Sequence, residues 1–414
     1  MLHTKTFGII PLPDALPILP GYTVEPGKPT SDIGGKKTAM EHKNKKIYRI
    51  RGTALLSAVL AVLFIITGCT GGKPGTVTAA PTGTPNSAEM PTATPDPRPH
   101  FAEVKLPFEP TLNYFAAPEA VLEVLTENEL QGYPAVVAAY MNYEAGVDLP
   151  GSKDDYPNLL RLIDMYFPVF FADIYDTTVK FSENANGCRL EWSYFSASRE
   201  EHNTLFHRFE NRVAELLKPS EGAKSRIMQA VAVYQKLTTE TEYDFNEETV
   251  GGESVPVMRH CYDAVTEGLG VCWCFGRSYC FLLCQLGFEA LTVHGIAKDL
   301  GLHEWTLFKY NDEWYYADPT WDIGGSSLLY YGFTADRREL NGYMKNAVYY
   351  MEGENHLAAD KFDVSALTFS AFFTGVCYGD SYELDYDGNA VVFHVDNGTE
   401  GEELIRFELP ADKD

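Results

Sequence analysis

The chain has 414 residues, 45% hydrophobic and 13% aromatic, which is enough for a large core and for more than one domain. Its formal net charge is −25, and the first 69 residues hold nine Lys and Arg against four Asp and Glu, so the rest is more acidic still. That balance excludes a basic nucleic-acid-binding face, and it excludes a membrane contact made through charge alone.

Residues 1–39 fit no targeting pattern, and Met40 stands where a signal sequence would begin. Lys43, Lys45, Lys46, Arg49 and Arg51 then precede an apolar run over residues 53–66, which is short of the ~20 residues that a spanning helix needs. The run closes on Ile66-Thr67-Gly68-Cys69. This order resembles a bacterial lipoprotein signal, which implies that Cys69 is lipidated and that the body lies outside the cell membrane; an uncleaved membrane helix is the other reading. Residues 70–100 form a linker, since seven prolines between 74 and 99 among Thr, Ala and Gly leave nothing to bury.

Residues 101–221 have mixed α+β patterning. Pro118 opens one helix, Pro134 opens another that runs through Ala139 and Met141, and a third covers 157–167. Strands are expected over 177–181 and 188–194, around the Asn184-Ala185-Asn186-Gly187 turn. Ser198 with Glu201 reads as a capping box for a helix carrying Leu205, Phe209, Val213 and Leu216, and a further helix presents Ile227, Ala230, Val231, Tyr234 and Leu237. Residues 345–414 read as a small β-rich region, with runs at 390–394 and 404–409 and turns at Asp387-Gly388 and Asn397-Gly398.

The chemistry is concentrated between Tyr262 and Asp322. Cys272 precedes the stripe Phe275, Tyr279, Leu282 and Leu286, which Gly287 ends, so the thiol sits at a helix N-terminus. The unpaired N–H groups and dipole there favour thiolate, the form a cysteine nucleophile needs. The stretch His303 to Tyr310, the pair Asn311-Asp312, and the stretch Glu313 to Asp318 read as a β-hairpin. With a two-residue loop, opposed residues sum to 623, which places Asp318 opposite Trp305, diagonal to His303 and on the same face. A carboxylate there can fix the imidazole while its other nitrogen takes the thiol proton.

These residues resemble the transglutaminase-like family, a branch of the papain-like cysteine enzymes. The matching stretches are Tyr262-Asp263-Ala264, Gly270-Val271-Cys272, Leu282-Leu283, Leu286-Gly287, His303, Trp305, and Trp314 through Asp322, with Glu242-Tyr243-Asp244 as a lead-in. The resemblance is clear over about 222–340, and 222–344 is taken as the domain. It implies an α+β fold with a papain-like core, in which the cysteine helix packs on an antiparallel sheet. It also implies Cys272 as nucleophile, His303 as general base and acid, and Asp318 as the orienting residue, with Trp305 and Trp321 supporting them. Cys274, Glu304 and Thr306 depart from the usual Gly, Ala and Asn.

The expected activity is acyl transfer through a Cys272 thioester, as peptide or amide hydrolysis or as protein cross-linking. Nothing marks an amine-binding site, which favours hydrolysis of a protein or peptide substrate. A non-catalytic surface protein that binds through the same fold is the alternative. No cofactor motif occurs, and Cys272, Cys274, Cys280 and Cys284 lack the paired spacing of a zinc site. His260, His294, His356 and His394 read as satisfied core or surface residues, Asp322 carries no catalytic assignment, and the pairing of Cys188, Cys261 and Cys377 is open.

Overall fold

A computed structural model describes residues 98–250, 253–297, 301–325, 327–333, 381–396 and 402–413. Met40, Cys69, the leader, most of the linker, His356, Cys377 and the Asn397-Gly398 turn lie outside the described residues. The architecture is mixed α+β, with helices packed on sheets.

Pro118 caps a single turn, α1 (Glu119–Leu122). The next helix, α2 (Glu127–Met141), starts seven residues before Pro134, so that proline lies inside it rather than opening it. The true start is a capping box, in which the Thr126 hydroxyl accepts from Glu129 N–H at 3.0 Å and the Glu129 carboxylate accepts from Thr126 N–H at 2.9 Å. Pro134 has no N–H for the Leu130 carbonyl, and Ala102 N–H supplies one instead at 3.0 Å, which is why the helix passes through the proline.

Next come β1 (Gly146–Leu149), α3 (Leu159–Tyr166), β2 (Lys180–Asn184) and β3 (Gly187–Glu191). The three strands form an antiparallel sheet in the order β1-β3-β2. The first predicted strand is displaced towards the C-terminus, because residues 176–178 make a 3-10 turn. Two long helices follow, α4 (Arg199–Leu217) and α5 (Arg226–Thr239), with the predicted faces buried except for Leu205, which is half-buried. At the start of α4 the Ser198 hydroxyl accepts from Glu201 N–H, but the Glu201 carboxylate binds Ala197 N–H, so the predicted box is only half formed.

The central part holds β4 (Glu242–Tyr243), β5 (Glu247–Val250), β6 (Glu253–Pro256), α6 (Cys261–Thr266), β7 (Leu269–Gly270) and α7 (Cys272–Gln285). A four-stranded antiparallel sheet follows, built from β8 (Ala290–Ala297), β9 (Gly301–Tyr310), β10 (Glu313–Ala317) and β11 (Tyr331–Phe333) in the order β11-β10-β9-β8. The helix α7 lies on this sheet at close range: a Cβ on Gly276 would stand 3.3 Å from Trp305 Cα, so glycine sets the separation.

The C-terminal strands β12 (Ser381–Asp385), β13 (Ala390–Asp396) and β14 (Glu402–Glu408) make an antiparallel meander. Its tail binds the central part, with the Tyr310 hydroxyl donating to the Pro410 carbonyl at 2.8 Å and Arg226 N–H to Asp412 at 3.0 Å. One apolar core runs through Tyr114, Phe167, Phe209, Tyr279, Trp305 and Phe393, taking side chains from all three parts.

Candidate active site

Two short parallel strands place Cys272. Glu242 N–H donates to the Gly268 carbonyl and Asp244 N–H to the Gly270 carbonyl, both at 2.7 Å, which ties β4 to β7 two residues before the thiol. The α7 helix then begins at Cys272 itself. The N–H groups of Cys274 and Phe275 are taken by the Val271 carbonyl, whereas the Cys272 N–H meets the Tyr243 hydroxyl. Trp273 anchors the same turn through an indole N–H to the Arg259 carbonyl at 2.9 Å, and Arg259 pairs with Asp244 at 2.7 Å.

The hairpin delivers the other two side chains. Glu313 pairs with Tyr310 and Ala317 with Thr306, the register that a two-residue loop requires, and Asn311 and Asp312 have φ of 52° and 68°. Asp318 lies one residue beyond the paired strand. Its N–H donates to the Tyr330 carbonyl at 2.8 Å, and its Oδ1 accepts from Thr320 N–H at 3.1 Å. Asp318 Oδ2 stands 2.6 Å from His303 Nε2, and Cys272 acts electrostatically on the same ring.

Cys272 is 7% exposed, His303 4% and Asp318 0%, so the three side chains meet where water is largely excluded. Burial alone lowers the His303 pKa. The Asp318 carboxylate and the Cys272 thiol outweigh it and raise the value to about 10, which keeps a proton on the ring at neutral pH. Trp305 stacks near that ring at 5.9 Å between centroids, and Trp321 stands at 5.8 Å on a tilt.

Each of the three departures has a partner. Cys274 fills a small buried cluster with Ala264, Val271 and Phe275, and burial pushes its thiol pKa well up. Thr306 donates its hydroxyl to the Gly276 carbonyl at 2.8 Å, tying β9 to α7. Glu304 accepts two bonds from Arg277 at 2.7 and 2.9 Å and faces His294 at 3.1 Å, while Arg277 also pairs with Asp164 on α3. Burial raises the Glu304 pKa, but Arg277 and His294 hold it well below the usual carboxylate range.

The remaining sequence candidates have ordinary partners. His260 pairs with Asp176 at 3.1 Å and His394 lies 3.8 Å from Glu383. Cys188, Cys261, Cys272, Cys274, Cys280 and Cys284 are free and buried. Among the described residues no group of three or more His, Cys, Asp or Glu is placed to hold a metal ion. Sequence reasoning gave no role to Tyr243 or Arg277. The Glu242-Tyr243-Asp244 lead-in pointed to the first, and no local signal pointed to the second.

The site combines a thiol at a helix N-terminus, an imidazole that holds a proton, and a carboxylate on the Nε2 of that imidazole. In general an imidazole so paired can take a thiol proton and return it to a leaving group.

Residues 214–319, which include all three side chains, match the Transglutaminase-like superfamily. No curated protein matches the chain. Among solved structures, a putative cysteine protease from Cytophaga hutchinsonii is 16% identical with a TM-score of 0.23, over 38% of this chain and 57% of that one. A TGase is 13% identical with a TM-score of 0.24, over 50% of this chain and 57% of that one. Calcium-bound LapG from Legionella pneumophila is 16% identical with a TM-score of 0.25, over 43% of this chain and 90% of that one. The chain thus spans a little over half the length of the first two.

Proposed function

We propose that the protein is a thiol enzyme that cleaves a peptide or carboxamide bond through an acyl-thioester on Cys272. The observation that carries this reading is the 2.6 Å contact between the His303 ring and the Asp318 carboxylate in a buried site where Cys272 also acts on that ring. In the forward step His303 holds the proton taken from Cys272, and the sulfur attacks the carbonyl carbon. The negative charge on the carbonyl oxygen is met by the Tyr243 hydroxyl, and by the Cys272 N–H once it turns from that hydroxyl to the oxyanion. His303 then protonates the departing amine, and the C–N bond breaks.

Water releases the acyl group in the second half-reaction: His303 takes its proton, the C–S bond breaks, and the thiol is restored. A lysine amine in place of water would give protein cross-linking. We take α7 with β8 to β11 as a papain-like core, and 222–344 as its domain, joined through the 70–100 linker to a lipid on Cys69. A Cys69→Ser variant should then move from the membrane fraction to the soluble fraction. Retention in the membrane would remove the anchor from this account.

Iodoacetamide labelling near neutral pH tests the chemistry, with the modified cysteine identified by peptide mass spectrometry. Cys272 should react faster than a free cysteine, and His303→Ala should abolish the advantage. Equal reactivity in both chains would leave a binding protein with an inert thiol.

A further inference from the structure

Four residues after Asp318, a second aspartate is buried without a place in the chemistry above. Asp322 is 2% exposed, at the end of the tight turn in which its own N–H donates to the Pro319 carbonyl at 3.2 Å. Its Oδ2 accepts from Tyr330 N–H at 3.0 Å and stands 2.7 Å from the Tyr234 hydroxyl, and its Oδ1 makes no hydrogen bond. The same Tyr234 hydroxyl stands 2.9 Å from the backbone carbonyl oxygen of Asp318.

The Tyr234 hydroxyl thus lies within hydrogen-bond reach of two oxygens. A tyrosine hydroxyl has one proton, and a carbonyl oxygen can only accept. If that proton serves the Asp318 carbonyl, the 2.7 Å contact between Tyr234 and Asp322 needs a proton from Asp322. We propose that Asp322 is a positioning residue that holds a proton and, through Tyr234, fixes the turn carrying Asp318. The bonded order is Asp322 O–H to Tyr234 Oη, then Tyr234 O–H to the Asp318 carbonyl.

The surroundings agree with a neutral acid. Among the described residues, the titratable groups facing Asp322 are Tyr234 from α5, Tyr382 from β12 and Asp318, with the Ser327 hydroxyl beside them. Burial raises the Asp322 pKa to about 7, with Asp318 adding to the rise and Tyr234, Tyr330 and Ser327 opposing it. Once Asp322 ionises, the single Tyr234 proton is drawn to the new carboxylate and the Asp318 carbonyl loses the bond from Tyr234. The Asp318 turn loosens and His303 loses its orientation.

The inference rests on the proposed thiol chemistry for its effect on rate, and its test separates the two. Infrared difference spectra between the full chain and its Asp322→Asn variant, from pH 5 to 9, should show the carbonyl band of an un-ionised carboxylic acid. That band should persist beyond the pH at which ordinary carboxyls ionise and fade near pH 7. Over the same range iodoacetamide labelling of Cys272 should fall by about three- to tenfold above pH 7 in the parent, and not in Asp322→Asn. Tyr234→Phe deletes the hydroxyl and keeps the acid, so the band should fade at a higher pH than in the parent. Absence of the acid band above pH 5 overturns the proposal, as do pH–rate profiles that superimpose in the parent and both variants. If the parent labels no faster than a free cysteine, the thiol-enzyme reading fails, and the infrared band still decides whether Asp322 holds its proton.

Discussion

The 2.6 Å contact between His303 and Asp318 sets both the reactivity and the pH response of the site. Asp318→Asn removes the charge that does most to offset the burial penalty of the imidazolium, so the His303 pKa should fall and Cys272 labelling should slow by about a hundredfold or more at pH 7. A labelling rate within twofold of the parent would deny Asp318 its orienting role. The same contact makes stability depend on pH. The folded His303 pKa of about 10 lies above its ordinary 6.5, so its contribution is complete below about pH 6.5 and is lost as pH rises to about 10. Thermal melts of the parent and His303→Gln should therefore converge across that window, and a gap that stays constant from pH 6 to 10 would exclude the linkage. The positions of His303 and Asp318 were legible because a two-residue loop fixes strand parity. Tyr243 was not, since its place beside Cys272 comes from a two-residue parallel pairing with no periodicity.

At the level of elements, the relation between α7 and β9 decides whether the thiol and the imidazole meet. Thr306 bonds the Gly276 carbonyl, Gly276 permits the close approach, and Glu304 with Arg277 carries the link on to α3 and β8. A methyl group at Gly276 must displace β9 backbone, so Gly276→Ala should cost about 1–3 kcal/mol in urea unfolding and slow Cys272 labelling as well. Unchanged labelling in a destabilised variant would uncouple helix spacing from the site. Arg277→Leu leaves the buried Glu304 carboxylate without its guanidinium, with His294 still facing it, and should cost about 3–5 kcal/mol, whereas the double change with Glu304→Ala should restore much of that loss. Additive losses in the double variant would show that the pair is not the source of the cost. The α7 helix was legible from its apolar stripe and terminal glycine. The start of α2 was missed because the Thr126 to Glu129 box, rather than Pro134, sets it, and because the donor that rescues the freed Leu130 carbonyl lies 28 residues away in sequence.

Across the whole described body, the C-terminal strands belong to the same core as the site. Alternation in residues 390–394 exposed a strand with one buried face, but periodicity names a face and not what covers it. Tyr382, Val391, Phe393 and Leu409 bury against the shared cluster, and Tyr382 also faces Asp322. Each such side chain contributes about 1.5–3 kcal/mol by burial, so the four together are comparable with the ~5–15 kcal/mol net stability of a typical domain. The tail adds the bonds from Arg226 N–H to Asp412 and from Tyr310 to Pro410, which pin the start of α5 and the end of β9. Removing residues 381–414 should therefore abolish the main cooperative transition in calorimetry, and with it the selective labelling of Cys272, while the full chain melts its folded body in one step. A truncated chain that keeps the main transition and the labelling would make the strands an independent appendage, and the coupling from Tyr382 through Asp322 and Tyr234 to Asp318 would then have to be carried by α5 and the turn alone.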